Sequence, residues 1–205
     1  MNVAEAKKKI FEGIGIEETS SGVFWGEWMP VEGRKIIKSV SPIDGSVLGA
    51  VAQGEEEDYE KVMAAAAKAY VEWSKIPSPK RGEIVGEIGE ELLRNKELLG
   101  LLVTIEVGKT LTEGAGEIQE GVDIANFSIG LSRQLYGLNI ASERPNHRLI
   151  EQWMPLGAIG VITSFNFPAA VWAWNALIAA VVGDQRVPGD RKSTRLNSSH
   201  VRLSR

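Results

Sequence analysis

Residues 34–54, "RKIIKSVSPIDGSVLGAVAQG", place β-branched residues alternately on either side of Pro42-Ile43-Asp44-Gly45. Alternation flanking a turn signal predicts a β-hairpin. The period then lengthens. Four acids at 55–58 suit the positive end of a helix dipole, and Tyr59, Val62, Met63, Ala66, Tyr70 and Trp73 recur at helical spacing. Ser78-Pro79 predicts the next helix start, with serine at the cap and proline in the first turn. Its core face is Ile84, Val85, Ile88 and Leu92. A short helix over 96–107 and a longer one over 111–136 follow, the latter with Ile118, Val122, Ala125 and Ile129 along one side. Gly137 breaks this pattern, and 138–154 reads as extended. Several helices followed by one strand-helix unit predict the start of an α/β fold.

From Gln152 to Gly183 the chain carries no charge. A run of 18 or more apolar residues is long enough to span a bilayer, but Thr163, Ser164, Asn166 and Pro168 interrupt this one. It divides better into a buried strand over 158–162, a turn, and a helix beginning near Pro168, whose missing N–H suits a first helical turn. Continuous apolar strands belong to parallel sheets covered on both faces. The turn then lies at the C-terminal end of a parallel strand, where open α/β sheets bind ligands. Asn166 in that turn is either a helix cap or a carboxamide aimed at something the protein holds. Gly157 and Gly160 do not form a G-x-G-x-x-G and leave the choice open.

Composition narrows the function classes. The 205 residues carry a net charge of −4, but residues 191–205 hold five basic residues (Arg191, Lys192, Arg195, Arg202, Arg205) and no acid. The remainder is therefore more acidic, at −9, which argues against a nucleic-acid or anionic-membrane partner. With no cysteine, neither a disulfide framework nor a thiolate zinc site exists, and His147 and His200 are too few for a histidine metal site. The N-terminus, MNVAEAKKKIFEGIGIEE, has no apolar stretch after its lysines, so a cytoplasmic location is expected.

"PLGAIGVITSFNFP" at 155–168 resembles the segment that opens the cofactor domain of the NAD(P)-dependent aldehyde dehydrogenases. "IPSPKRGEIVGEIGEELL", "EGAGEIQEGVDIANFSIGLSR" and "SERPNHRLIEQWMPLG" resemble the antiquitin branch, the aminoadipate-semialdehyde (piperideine-6-carboxylate) dehydrogenases. The likeness runs in order over roughly residues 14–184. It implies an α/β, aldehyde dehydrogenase-like fold, truncated: an N-terminal helical segment, hairpin strands used in oligomerisation, and the start of a Rossmann-like parallel sheet. The implied division is an N-terminal extension (1–33), the hairpin and helices of the cofactor domain (34–137), an extended oligomerisation segment (138–154), the first strand-turn-helix of the NAD fold (155–184) and a tail outside the family pattern (185–205).

In that family a cysteine attacks the aldehyde, hydride passes to the nicotinamide, and a glutamate activates water to release the acid. The resemblance implies that Asn166 donates its side-chain N–H to the developing oxyanion, a role worth about 3–4 kcal/mol of barrier. It also implies that Ile162, Thr163, Ser164 and Phe165 line the cofactor site and that Phe167 borders the substrate tunnel. NAD is the implied cofactor, with NADP possible, and the full-length protein is implied to be a homo-oligomer acting on a small aldehyde. Glu113, Glu117 and Glu120 lie within about 60° on one helix face. Such a run is usually solvated, and that is the expectation for Glu113 and Glu117. Glu120 matches a glutamate that contacts the substrate's amino group in the antiquitin branch, and for it both readings stand.

After Asp184 the family continues with a strand leading to a lysine-proline-serine motif, whereas this chain reads "QRVPGDRKSTRLNSSHVRLSR". That lysine, the water-activating glutamate and the cysteine are missing. "DRKSTRLNSSH" resembles the codon-for-codon translation of a widely used sequencing-library adapter, so the tail is expected to be an artefact; a basic nucleic-acid-binding arm or a disordered polar tail is the competing reading. The chain as a whole is expected to be an inactive piece of an aldehyde dehydrogenase. The alternatives are a non-catalytic module keeping the hairpin and half the cofactor fold, or a membrane-anchored protein.

Overall fold

The computed structural model describes residues 2–188. Residues 2–33, to which the sequence pattern assigned no element, begin with helix α1 (Val3–Ile14). Asn2 caps it by accepting the Glu5 N–H at 2.9 Å, and the Glu5 carboxylate accepts the Asn2 N–H at 3.0 Å. This reciprocal arrangement satisfies two of the otherwise orphaned donors of a first turn. Val3, Ala6 and Ile10 turn inward, and the helix stops at Gly15 in the left-handed conformation (φ 66°).

The expected hairpin is present. Strands β2 (Ile36–Val40) and β3 (Val47–Ala52) pair antiparallel, with Ile37 opposite Val51, and β1 (Thr19–Ser21) adds in parallel on the other side of β3. The Ser41 Oγ donates to the Ile105 carbonyl at 2.6 Å, tying the hairpin turn to the helices behind it. Leu48 of β3 completes a core with Val3, Ala6, Ile10, Leu101 and Ile105.

Four helices follow: α2 (Glu56–Trp73), α3 (Ser78–Arg94), α4 (Lys96–Val107) and α5 (Leu111–Leu131). The bounds of α4 are those expected. On α2, Val62 and Ala66 are buried but Tyr59 is exposed; on α3, Val85 and Leu92 are buried but Ile84 is exposed. Both differences have one cause: each helix packs on a narrower stripe than its apolar pattern offers. Ser78 is not a cap. It lies inside the first turn of α3, after the N-cap residue Pro77, and its Oγ donates to the Ser132 carbonyl at 2.8 Å. That bond holds the end of α5, which stops at Leu131 and not near Tyr136. Ser132 also turns its own Oγ back to the Ile129 carbonyl at 2.6 Å.

Asp58 is buried at the start of α2. It accepts the Glu55 N–H at 3.0 Å and pairs with Arg34 at 2.7 Å. Burial alone would push its carboxyl up. The Glu55 N–H, Arg34 and Lys61 outweigh that and hold it below the usual carboxylate range.

Beyond the helices, β4 (Asn139–Ile140) and β5 (Leu149–Ile150) form a short antiparallel hairpin whose strand residues are exposed. Strand β6 (Ala158–Val161), helix α6 (Ala170–Val182) and strand β7 (Gln185–Pro188) make a parallel βαβ unit, with Ala158 opposite Gln185 and Val161 opposite Pro188. The sheet thus continues past residue 184; residues 189–205, most of the expected non-family tail, lie outside the described residues. Helix α6 starts two residues later than Pro168, with Ala169 as its N-cap. Among the described residues no helix is long and apolar enough to cross a membrane.

Helix α5 is the centre of the packing. Its Ile124 and Ala125 meet Val85 of α3 and Ala173, Leu177 and Val181 of α6, while Ile118 and Val122 meet Leu92, Leu99 and Val103. Glycines permit this closeness. A Cβ on Gly114 would collide with the Gly100 carbonyl of α4, and one on Gly100 would sit 2.7 Å from the Ala115 Cα. Alanine normally stabilises a helix interior over glycine by about 0.5–1 kcal/mol. Here the backbone contact reverses the sign, because overpacking costs about 1–3 kcal/mol. Gly114→Ala is expected to lower the melting temperature, whereas Gly116→Ala, with open space around it, is expected to raise it; thermal unfolding of the two variants beside the parent checks this.

Candidate functional site

The β6–α6 connection carries six of the seven residues singled out from the sequence. Ile162, Phe165, Asn166 and Phe167 are exposed, and Thr163 and Ser164 are half-buried. Among the described residues, no hydrogen bond joins residues 163–167 to another element. Backbone donors and acceptors left open at the end of a parallel strand are suited to a polar ligand.

Asn166 does not cap α6. The N-cap is Ala169, and no side chain of the turn closes the first helical amides. They are satisfied from elsewhere. Glu117 on α5 accepts the N–H of Ala169 at 3.2 Å and of Ala170 at 3.3 Å through Oε2. Its Oε1 accepts from Lys109 Nζ at 2.5 Å. Glu117 is 3% exposed, so the expectation of a solvated Glu117 is wrong. The physical reason is the combined attraction of a helix N-terminus and an ammonium, which together outweigh desolvation. Glu113 behaves as expected: it stays exposed and closes a capping box with Thr110, accepting the Thr110 N–H at 2.9 Å.

Lys109 sits in the α4–α5 connection, between Gly108, which ends α4 at φ 83°, and Thr110, which caps α5. Its Nζ lies 3.6 Å from the centre of the Phe167 ring. A cation over an aromatic face is attractive, the more so where water is excluded. Lys109, Glu117 and Phe167 thus form one cluster that reaches the Asn166 turn from below.

Glu120 stands one turn further along α5 and is half-buried. Its Oε1 accepts from Trp174 Nε1 at 2.6 Å, which links α5 to the second turn of α6. The contacts therefore climb the two helices together, Glu117 at the start of α6 and Glu120 beside Trp174. The structure places Glu120 next to the βαβ unit but records no contact between it and Asn166.

Lys109, Glu117 and Trp174 were not found as site residues from the sequence. A signal was present for Glu117. It lies between Gly114 and Gly121 at i−3 and i+4, and small residues flanking an acid on one helix face mark close packing. Lys109 and Trp174 carry no such signal, because their partners lie on other elements.

A cavity of about 400 Å³ lies elsewhere, between α1, the β2–β3 hairpin and α4, lined in part by Phe11, Trp28, Met29, Leu48 and Glu106. Burial pushes the Glu106 carboxyl up, while the Ser39 hydroxyl, donating at 2.8 Å, works against it. None of the residues singled out from the sequence lines this cavity.

A parallel βαβ unit, open at the strand-to-helix turn and backed by a helical layer, defines an α/β protein of the dinucleotide-fold type. The comparisons give the family. The sequence model of the aldehyde dehydrogenase family matches residues 28–189, and the chain belongs to that family. Alpha-aminoadipic semialdehyde dehydrogenase of Rattus norvegicus is 46% identical over 174 residues, 84% of this chain and 32% of the relative. Aldehyde dehydrogenase family 7 member A1 of Pisum sativum is 46% identical over 172 residues, 83% of this chain and 34% of the relative. Among solved structures, 3,6-anhydro-L-galactose dehydrogenase in complex with NAP superposes with a TM-score of 0.76 at 28% identity, covering 82% of this chain and 35% of that one. The chain spans about a third of the length of the relatives it matches. The antiquitin resemblance and the aldehyde dehydrogenase-like fold are both met.

If Asn166 is not a cap, its removal has little to destabilise. Asn166→Ala in this chain is expected to leave stability within about 0.5 kcal/mol, the range of an ordinary surface substitution. A loss of 1 kcal/mol or more, as for a lost N-cap, in a urea or thermal unfolding series would contradict that geometry.

Proposed function

We propose that this chain is the N-terminal part of an aldehyde dehydrogenase that oxidises a small aldehyde, aminoadipate semialdehyde by its likeness to the antiquitin branch, to a carboxylate with NAD or NADP. The observation that carries the reading is the 163–167 turn, which makes no hydrogen bond to another element among the described residues, with Asn166 exposed and not capping α6. The open backbone of Ile162, Thr163, Ser164 and Phe165 fits a dinucleotide lying along the strand end. The N-terminus of α6 is not available for its pyrophosphate, because Glu117 already occupies those amides. When bound, the nicotinamide would supply the hydride acceptor.

The chain's own residues then do the following. Asn166 presents its side-chain N–H where negative charge develops on the aldehyde oxygen, and a donor fixed beforehand costs no reorganisation during reaction. Phe167, held by Lys109, forms an apolar wall of the substrate passage and excludes water. Glu120 keeps one carboxylate oxygen on Trp174 and offers the other to a substrate ammonium, a charge-assisted bond. The exposed β4–β5 hairpin, with Leu138, Ile140, Leu149 and Ile150 facing outward, supports a homo-oligomeric contact in the longer protein. A cytoplasmic location rests on the N-terminal sequence alone.

With no cysteine and none of the family's water-activating machinery, the 205-residue chain itself is expected to be inactive. NADH formation with aldehyde above a no-protein control would overturn this. A non-catalytic module is the second reading, and the two separate on the source DNA past codon 184: an open frame running into the family's lysine-proline-serine motif supports the enzyme.

In a protein that carries these residues together with the family's cysteine and glutamate, Asn166→Ala is expected to lower kcat roughly 100- to 1000-fold with little change in NAD binding. Asn166→Asp should be at least as harmful, since it sets a negative charge against a developing one. An aspartate variant with near-parental kcat would remove Asn166 from the mechanism.

A further inference from the structure

We infer that Lys109 and Glu117 are positioning residues for the β6–α6 turn: the pair holds Phe167 and the first amides of α6 from outside and thereby fixes where Asn166 points. The inference rests on the proposed role of Asn166 for its catalytic meaning, but the mechanical claim stands on geometry alone.

The turn has few ties outside itself. No hydrogen bond ties residues 163–167 to another element among the described residues, and α6 begins on Ala169, which has no side chain capable of capping. A turn left in that state is free to move on its own axis, and the first α6 amides would be unpaired. Glu117 supplies both missing acceptor contacts with one oxygen, to Ala169 and Ala170. The other oxygen is committed to Lys109, so the carboxylate is gripped at both ends and its rotation is blocked. Lys109 in turn spans from Glu117 to the face of Phe167, the residue next to Asn166. The turn is therefore clamped on its C-terminal side by Glu117 at residues 169 and 170, and by Lys109 at residue 167.

The side-chain burial is unusual enough to need a reason. Lys109 is 16% and Glu117 3% exposed, and a buried ion pair is seldom more stable than an apolar pair of the same size. An apolar pair would fill this space, but it offers neither an acceptor for the helix amides nor a cation for the ring. Holding the turn is what the charged pair adds.

The test uses this 205-residue chain and does not depend on activity. Backbone 15N relaxation is measured at Phe165, Asn166 and Phe167, and amide exchange at Ala169 and Ala170, in the parent, Glu117→Ala, Glu117→Gln and Lys109→Met. In the parent the turn is expected to be rigid, with order parameters of about 0.85, falling to about 0.6 in Glu117→Ala. Exchange at Ala169 and Ala170 should rise by about tenfold or more, as for a lost charge-assisted bond, while amides of 176–182 in the same helix stay near parental. Glu117→Gln keeps an acceptor oxygen and should restore most of the protection of the two amides. Lys109→Met keeps the stem but not the charge, and should loosen Phe167 more than Ala170. Order parameters and exchange unchanged in Glu117→Ala would overturn the inference. So would a uniform loss of protection along α6 in both Glu117 variants, since that is only general destabilisation. Full kcat in Asn166→Ala would remove the mechanistic reading of Asn166 and leave this clamp standing.

Discussion

The carboxylate of Glu117 is the contact on which the arrangement of this chain turns. It is a buried charge at a helix N-terminus that has no cap of its own. Three groups share it: two backbone amides of α6 and the Lys109 ammonium. Removing one partner of such a pair typically costs about 3–5 kcal/mol, because the other is left charged and dry. Its effect reaches further than its own bonds. It fixes α6 against α5 at the point where the βαβ unit begins, and so decides how the sheet end meets the helical layer.

The packing around that contact uses two of the glycines of α5. Gly114 sits against Gly100, and Gly121 faces Leu92 and Ala173 at 3.3 and 3.4 Å from where a Cβ would be. Close approach of the backbones brings Glu117 within reach of the α6 amides; a wider spacing would put water between them. The other end of α6 is held by a second polar link. Arg81 on α3 donates its Nε to the Val181 carbonyl at 2.9 Å, and Asp184 accepts the N–H of Gly157 at 3.1 Å and of Leu156 at 2.5 Å. Burial pulls the Arg81 guanidinium below its ordinary value, with Asp184 opposing that shift. Helix α6 is thus pinned by an acid at its start and by a cation at its end, each the sign that suits the helix dipole there.

Periodicity made the elements readable, because their apolar stripes are local: the β2–β3 hairpin, α4 to the residue and the strand-turn-helix unit all follow from spacing. Helix α1 was equally legible, with Val3, Ala6 and Ile10 at helical spacing behind an Asn2–Glu5 capping box, although the sequence reading of this stretch went no further than its charge. What spacing cannot carry is pairing at a distance. Ser78 reads as a cap because of its place before Pro79, yet its hydroxyl serves Ser132, 54 residues away. Glu117 reads as solvated because it shares one helix face with Glu113 and Glu120, yet its partners lie 8 and 52 or 53 residues away. The family resemblance supplied the role proposed for Asn166; it did not supply the contacts of Glu117 and Lys109 beneath it, which only the three-dimensional structure reveals.

The division of labour follows from these contacts. In the proposed function the turn meets a ligand, and backbone groups spent on internal bonds would be lost to that ligand. Among the described residues none of 163–167 hydrogen-bonds to another element, and the inferred rigidity comes from α5 and the α4–α5 connection. The same logic applies to the sheet. Among the described residues β6 pairs only with β7, while Leu156 and Ile162 at its two ends are 88% and 72% exposed. A parallel strand with apolar ends and one neighbour is a surface made to be covered. The chain spans about a third of the length of its relatives. Every group in the proposed clamp belongs to residues 109–170, so its contacts are complete within the helical layer and the start of α6.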